Sequence, residues 1–270
     1  VRLLKQVNRG PGPAREKGRL AARGEFIQYL DSDDLLLPNK FKDQVEALKS
    51  NPECDIAYGT TRLVNYNGEV LSEPFKWSGE ERSSLFPGLL VDRWWCTHTP
   101  LYRRSLCDRI GPWSDLRYSQ DWEYDARAGR LGAKLVSTQT VVSEHRTHEK
   151  MRQTGDGKWL SPADQFTFFN MLFQCAIDAG VSKSTPEMQH FSRWAFSQAR
   201  KSGLAGDSTS ALKLFEIAAQ ATVAMDSKMK AYAYMSKLVG WKITGKVGQL
   251  YDSWMPTKAS ATTLKQSWMD

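Results

Sequence analysis

The stretch Phe26-Ile27-Gln28-Tyr29-Leu30-Asp31-Ser32-Asp33-Asp34 gathers three carboxylates within four positions at the end of a short β-prone run. Carboxylates this close repel one another, so folding alone gives little reason to gather them. A divalent cation such as Mg²⁺ or Mn²⁺ would offset the repulsion, because it prefers oxygen ligands. The cation would lie at the carboxyl edge of a sheet, where open α/β sheets bind their ligands. A polar loop after a strand is the alternative, since a D-x-D pattern is short.

Charge is spread unevenly along a chain of 270 residues, of which 41% are hydrophobic and 25% charged, as in a globular protein. This length suffices for one large domain or two modest ones. Of the net charge of +7, residues 1–150 contribute +2 and residues 151–270 contribute +5. Because basic patches attract anionic surfaces, we expect peripheral contact between the basic tail and an anionic membrane. No nucleic-acid partner is expected.

The cysteines bear on the cellular compartment. Cys54, Cys96, Cys107 and Cys175 are irregularly spaced and form no C-x-x-C pair. Such thiols are expected to be buried or incidental groups in a reducing compartment, and neither a disulfide framework nor a zinc site is indicated. We therefore expect a cytoplasmic protein, placed at the inner face of the cell membrane.

Strand and helix patterns alternate up to about residue 142, and helical periodicity follows. Predicted strands span residues 1–7, 25–30, 56–66 and 133–143, with a hairpin return at 69–71; predicted helices span 14–23, 38–49, 101–109 and 120–131. Residues 192–201 and 208–222 predict an αα-hairpin. The order predicts an α/β fold with a mainly parallel sheet over residues 1–150, a mobile linker over 151–160 and a helical extension over 161–270.

Four segments, in order, resemble family 2 glycosyltransferases, which have the Rossmann-like GT-A fold. They are Asn8-x-Gly10-x-Gly12-x-Ala14-Arg15, the Leu30–Asp34 cluster, Ser119-Gln120-Asp121-Trp122-Glu123 and Arg146-x-His148. The resemblance covers roughly residues 1–150. It implies inverting transfer of a sugar from a nucleotide-sugar, with a UDP-sugar as the first choice of donor. The implied acceptor is a saccharide or a lipid-linked glycan in polysaccharide biosynthesis.

The same resemblance assigns roles to individual residues. It implies that Asp33 ligates Mn²⁺ or Mg²⁺, and that Asp31 ligates the metal or the donor ribose. Arg15 would contact the diphosphate or the edges of the base, and His148 would ligate the metal or contact the diphosphate. Asp121 would be the general base that deprotonates the acceptor hydroxyl, as an inverting transfer requires. We expect Asp34 to cap the following helix.

Two positions depart from the family pattern, and a third supplies an alternative to Asp121 as the general base. Gln120 stands where the family has an acid, so less repulsion would lower the pKa of Asp121 relative to that pattern. Glu16 stands where the family has Asn and adds negative charge near the donor. Glu123 is the alternative base.

The start of the chain also differs from the family pattern. Residues 1–7 resemble the third strand of the family, and no counterpart of its opening strand–helix–strand unit precedes them. We expect a catalytic domain truncated at its N-terminus, with an exposed sheet edge and poor nucleotide binding. Such a piece could be inactive.

Other functions fit the sequence less well. A haloacid-dehalogenase-like phosphatase needs D-x-D-x-[TV], but Leu35 occupies the last position. An EF-hand needs a third ligand and a glycine where Leu35 and Leu36 stand. A helical scaffold that binds an anionic surface, with a non-catalytic α/β domain, is the non-enzymatic alternative and relies on the basic tail.

Overall fold

Strands and helices alternate through the first half of the structure, and helices alone form the second half. The structure is a computed structural model that describes residues 2–147 and 162–254. Its strands are β1 Phe26–Ile27, β2 Leu35–Leu36, β3 Ile56–Val64, β4 Val70–Ser72, β5 Leu101–Arg103 and β6 Leu135–Arg146. Its helices are α1 Pro11–Ala21, α2 Lys40–Ser50, α3 Arg104–Ile110, α4 Gln120–Arg130, α5 Pro162–Asp178, α6 Pro186–Leu204, α7 Ser208–Ala221 and α8 Ser227–Trp254.

The described strands form one sheet in the order β1-β5-β3-β6-β2, with β4 also paired to β3. Only β3 and β6 run parallel, and the other four pairings are antiparallel. The predicted α/β class is confirmed, but the sheet is mixed rather than mainly parallel. Alternation of strand and helix along a sequence does not report strand direction. The turn at Asn67-Gly68, for example, returns the chain directly into an antiparallel hairpin.

Three sequence expectations need correction. Residues 2–7 are not a strand: Leu3 and Val7 are 79% and 82% exposed, and no described strand lies beside them to satisfy their backbone groups. Helix α1 begins at Pro11, three residues before the predicted start at residue 14, because proline is well tolerated in the first turn of a helix. The predicted helix at 101–109 starts as strand β5, where Leu101 and Tyr102 pair with β3.

The predicted αα-hairpin is confirmed and is longer than expected. Helix α6 begins at its cap Thr185, whose hydroxyl accepts from the Met188 amide. Helix α7 begins at Asp207, whose carboxylate accepts from the Ser210 amide at 2.9 Å. Such caps satisfy amide groups that have no partner within the helix.

Aromatic side chains pack the helical part against the α/β part. The Trp122 ring of α4 lies 5.5 Å from Phe168 and 5.7 Å from Trp194, measured between ring centroids. These residues belong to a buried core that runs from the sheet to Trp241 of α8. The division at residues 150–161 stays a prediction, and the predicted linker lies outside the described residues. Within the described residues, no helix is both long and apolar enough to cross a membrane.

Candidate active site

A close backbone approach at Gly12 fixes α1 against the loop that precedes α4. A Cβ atom at Gly12 would lie 2.0 Å from the backbone oxygen of Ser114, so only glycine fits there without a shift. The contact brings the first turns of α1 beside residues 113–120. One consequence is that Arg15, one turn further along α1, faces the end of the strand run that carries the acidic cluster.

Arg15 pairs with the first carboxylate of the D-x-D. Its Nη2 donates to Asp31 Oδ1 at 2.6 Å, and its guanidinium lies 5.0 Å from the centre of the Trp113 ring. The other terminal nitrogen, Nη1, is buried and makes no hydrogen bond to any described residue. Asp31 keeps 38% of its side chain exposed. An accessible carboxylate therefore lies beside a guanidinium with an unused donor, which suits an anionic ligand.

The third carboxylate of the cluster faces the protein interior. Asp34 is 5% exposed and accepts from the Arg146 amide at 3.1 Å. Its two oxygens lie 2.9 and 3.0 Å from Nδ1 of His98 and of His145. Burial raises the pKa of Asp34, but contacts with the two histidines outweigh it and hold this pKa well below its usual range. The expectation that Asp34 caps α2 is wrong, because that helix starts after Asn39 and Asp34 faces β6 instead.

Asp121 lies in the first turn of α4, where the helix dipole favours a carboxylate. Its Oδ2 accepts from Arg93 Nη1 at 2.9 Å and from the Thr97 hydroxyl at 3.1 Å. Burial raises the pKa of Asp121, but the charges of Arg93 and Arg15 outweigh it, so this pKa is lowered. The carboxylate is consequently ionised at neutral pH, and 28% of it is exposed.

Sequence reasoning missed the buried network beneath Asp121. Arg93 Nε donates to Asp125 Oδ2 at 2.7 Å, and Asp125 is fully buried. Asp125 also accepts from Trp95 Nε1 at 2.8 Å and from the Tyr102 hydroxyl at 2.6 Å. The only local signal was spacing, since Asp121 and Asp125 lie four residues apart on one helix face. Nothing in the sequence pattern around Arg93 indicated this contact.

Several other candidates have structural partners. Glu123, the alternative base, forms a two-point ion pair with Arg127 at 2.6 and 2.8 Å. Glu16 pairs with Arg19 at 2.8 Å and accepts from the Trp113 amide, so its place beside α1 has a structural explanation. The four cysteines are buried and free, as predicted.

The structure brings some predicted site residues together and leaves others undescribed. Arg15 contacts Asp31, and its positive charge also lowers the pKa of Asp121. Asp33 follows on the same turn, and its backbone oxygen accepts from Arg146 Nε. His148, the predicted diphosphate contact, lies outside the described residues.

Comparison with protein families gives this geometry a context. Residues 1–111 match the family described as Glycosyl transferase family 2. This part of the chain is similar to that family of glycosyltransferases. The match includes Arg15 and the D-x-D and ends before Asp121.

Individual relatives agree with the family assignment. The chain is 32% identical over 86 residues to an uncharacterized glycosyltransferase of Methanocaldococcus jannaschii. This alignment covers 31% of this chain and 30% of the relative. It is 28% identical over 90 residues to the chondroitin synthase of Escherichia coli. That alignment covers 33% of this chain and 13% of the relative. The matches thus span less than a third of the length of these two curated relatives.

Among solved structures, the fold resembles that of TarS from S. aureus, residues 1–349, determined in complex with UDP-GlcNAc. The TM-score is 0.62 at 18% sequence identity, and the superposition covers 93% of this chain and 74% of the TarS chain. At this identity the likeness concerns the fold alone. It confirms the predicted GT-A fold together with the helical region.

Proposed function

We propose that this glycosyltransferase carries out a metal-dependent, inverting transfer of a sugar from a nucleotide-sugar to a hydroxyl acceptor. The observation that carries the proposal is the position of Arg15, which contacts Asp31 and also lowers the pKa of Asp121. A donor-binding group, a D-x-D carboxylate and a candidate base thereby face one region. Such convergence is what transfer between two bound substrates requires.

The residues fit a divalent cation and a diphosphate. Asp31 and Asp33 offer carboxylate oxygens, which are the ligands that Mn²⁺ and Mg²⁺ prefer. The buried, unused Nη1 of Arg15 is a donor of the kind that binds a phosphate oxygen. Bound there, the cation would stabilise the negative charge of the leaving diphosphate. The role proposed for His148 is contact with that diphosphate.

Asp121 would take the proton from the acceptor. Its lowered pKa keeps it ionised, and its Oδ2 is held by Arg93 and Thr97. The acceptor oxygen forms the new bond to the anomeric carbon while the bond from that carbon to the diphosphate oxygen breaks. Attack opposite the leaving group inverts the configuration. The proton passes to Asp121, and the nucleoside diphosphate leaves.

The relatives support a proposal for the donor and acceptor classes. TarS was determined with UDP-GlcNAc, and one curated relative is a chondroitin synthase. We therefore propose a UDP-sugar as the donor and a saccharide or lipid-linked glycan as the acceptor, in polysaccharide biosynthesis.

Two isosteric substitutions test the two roles separately. Asp33→Asn should abolish Mn²⁺ binding, which is followed by electron paramagnetic resonance of free Mn²⁺. Asp121→Asn should keep Mn²⁺ and UDP-sugar binding but lower the transfer rate by roughly 10²–10⁴-fold, the usual contribution of a general base. Glu123→Gln is the control, because that carboxylate is engaged by Arg127. Unchanged turnover in Asp121→Asn, or metal-independent binding of the donor, would contradict these assignments.

We also propose that the transferase works at an anionic membrane surface, at the inner face of the cell membrane. Residues 227–250, nearly all of α8, contain five lysines and no acidic residue. Beyond the kink at Gly240, the exposed side chains Ile243, Val247 and Leu250 form one apolar stripe, flanked by the exposed Lys242 and Lys246. An apolar stripe bordered by lysines is typical of helices that lie on anionic lipid.

A further inference from the structure

Three potential metal ligands converge beneath the D-x-D, apart from the carboxylates of Asp31 and Asp33. Cys96, His98 and His145 each offer one ligand atom, and these atoms all lie within 4.8 Å of one another. Cys96 and His98 come from the loop that precedes β5, whereas His145 is on β6. Asp34 contacts both histidines, at 2.9 and 3.0 Å. A thiol and two imidazoles therefore surround one small region, and a carboxylate contacts both imidazoles.

His98 supplies an independent indication that a ligand is needed there. Its side chain is fully buried, and neither ring nitrogen makes a hydrogen bond to a described residue. Although Nδ1 lies 2.9 Å from Asp34, the direction of this contact does not meet hydrogen-bond geometry. A buried polar group without a hydrogen bond destabilises the folded chain. Coordination of a cation would use one of these nitrogens and remove part of that destabilisation.

The surroundings favour the neutral form of this imidazole. Burial lowers the pKa of His98 more than the neighbouring Asp34 raises it. A neutral imidazole is the form that ligates a metal. The His145 ring is stacked between Phe75, at 5.1 Å, and His98, at 5.7 Å, so its orientation is also fixed by packing.

We propose that Cys96, His98 and His145 bind a structural Zn²⁺, with Asp34 as the fourth ligand. Zinc takes thiolate, imidazole and carboxylate ligands in a closed four-ligand set when its role is structural. Burial raises the pKa of the Cys96 thiol to about 12, so this group is protonated before the ion arrives. On binding, the sulfur–hydrogen bond is replaced by a sulfur–zinc bond, and the proton leaves to solvent.

The zinc site would differ from the proposed sugar-transfer metal in chemistry and in consequence. Soft sulfur and imidazole ligands select Zn²⁺, whereas the carboxylates of Asp31 and Asp33 select Mg²⁺ or Mn²⁺. The zinc would join the end of the D-x-D turn, the 96–98 loop and β6 into one unit. Its presence does not depend on whether the chain transfers a sugar.

Metal content and thermal stability of the whole chain test the proposal. After removal of metals with a chelator and exposure to Zn²⁺, mass spectrometry should find one tightly held zinc per chain, and zinc should raise the melting temperature. Cys96→Ser should lose the ion, whereas Cys107→Ser, at another buried cysteine on α3, should keep it. Asp33→Asn should also retain the zinc. With Co²⁺ in its place, the wild-type chain should show a thiolate-to-cobalt absorption band that Cys96→Ser lacks.

Three outcomes would overturn the proposal. The first is a chain that holds no stoichiometric zinc and melts at the same temperature with and without it. The second is equal zinc content in the wild type and in a folded Cys96→Ser variant. The third is loss of zinc in Asp33→Asn but not in Cys96→Ser, since the ion would then belong to the D-x-D. If Cys96→Ser does not fold, Cys96→Ala and the cobalt spectrum of the wild type give the same decision.

Discussion

Arg93 bridges the candidate base and a fully buried carboxylate: it donates from Nη1 to Asp121 Oδ2 at 2.9 Å and from Nε to Asp125 Oδ2 at 2.7 Å. Only 6% of its side chain is exposed. A single guanidinium thus compensates two carboxylates at the start of α4. The arrangement fixes the orientation of Asp121 and also helps to keep it ionised.

Removal of this guanidinium should lower the free energy of unfolding. Arg93→Met would leave Asp125 buried without its cation, and breaking such a buried pair costs about 3–5 kcal/mol of unfolding free energy. Arg109→Met is the control, because Arg109 pairs with Asp55 at 2.8 Å while 51% of its side chain is exposed. Exposed pairs contribute at most about 1 kcal/mol. Urea unfolding measures both changes, and similar losses in the two variants would contradict the proposed role of Arg93.

Two glycines on α1 should respond to alanine in opposite ways. Gly12→Ala places a methyl group 2.0 Å from the Ser114 backbone oxygen, so the backbone must move. We expect a loss of about 1–3 kcal/mol, as for other overpacked sites, and weaker donor binding because Arg15 moves with the helix. Gly18→Ala meets no atom within 4 Å and should stabilise the helix by about 1 kcal/mol. Thermal unfolding compares the two, and a stabilised Gly12→Ala variant would disprove the close approach.

The buried Lys40 should make stability depend on pH. Its amine is fully buried and donates to Gln44 Oε1 at 2.6 Å and to the Thr99 carbonyl at 2.8 Å. Burial lowers the pKa of Lys40 well below its usual value of 10.5. Between the two pKa values the unfolded chain binds one more proton than the folded chain. The unfolding free energy should therefore rise with pH in that interval, by up to about 1.4 kcal/mol per pH unit.

Substitution of Lys40 isolates this contribution. Lys40→Met should remove the rise in unfolding free energy, and at neutral pH it should leave stability unchanged or raise it, because no amine has to be desolvated. Lys49→Met, on the exposed face of the same helix, should retain the wild-type pH dependence. Urea unfolding at several pH values above neutrality compares the three chains. Parallel curves for the wild type and Lys40→Met would refute the assignment.

The apolar stripe on α8 should bind anionic lipid. We expect the chain to sediment with vesicles of phosphatidylcholine and phosphatidylglycerol, but not with phosphatidylcholine alone, and added salt should weaken the binding. Serine at Ile243, Val247 and Leu250 should abolish sedimentation. Leu212→Ser, at an equally exposed leucine of α7, should leave it intact. The chain could instead dimerise and fail to bind vesicles, with the triple substitution removing the dimer. That result would identify the stripe as a contact between two copies of the chain.

Much of the architecture could be predicted because it depends on neighbours along the chain. The helical segments of α2 and α4, the Asn67-Gly68 turn and the αα-hairpin follow from local patterns, and the structure has each of them. The apolar stripe expected on α2 at Phe41, Val45 and Leu48 is wrong in part, because Phe41 is 49% exposed while Lys40 and Gln44 are buried. Strand direction could not be predicted in the same way. Whether β5 and β6 run parallel or antiparallel to β3 depends on how the intervening chain crosses the sheet, which periodicity does not record.

The sequence by itself determined the acidic cluster, the glycine-bearing segment before Arg15, the helix that carries Asp121 and the similarity of residues 1–111 to family 2 glycosyltransferases. Only the tertiary structure decided which partners these groups have. It paired Asp121 with Arg93, 28 residues away, and Asp34 with His98 and His145. Such contacts form where separate elements pack together, so the spacing of residues along the chain carries no record of them. Irregular cysteine spacing indicated no metal site, yet folding brings Cys96 beside two histidines.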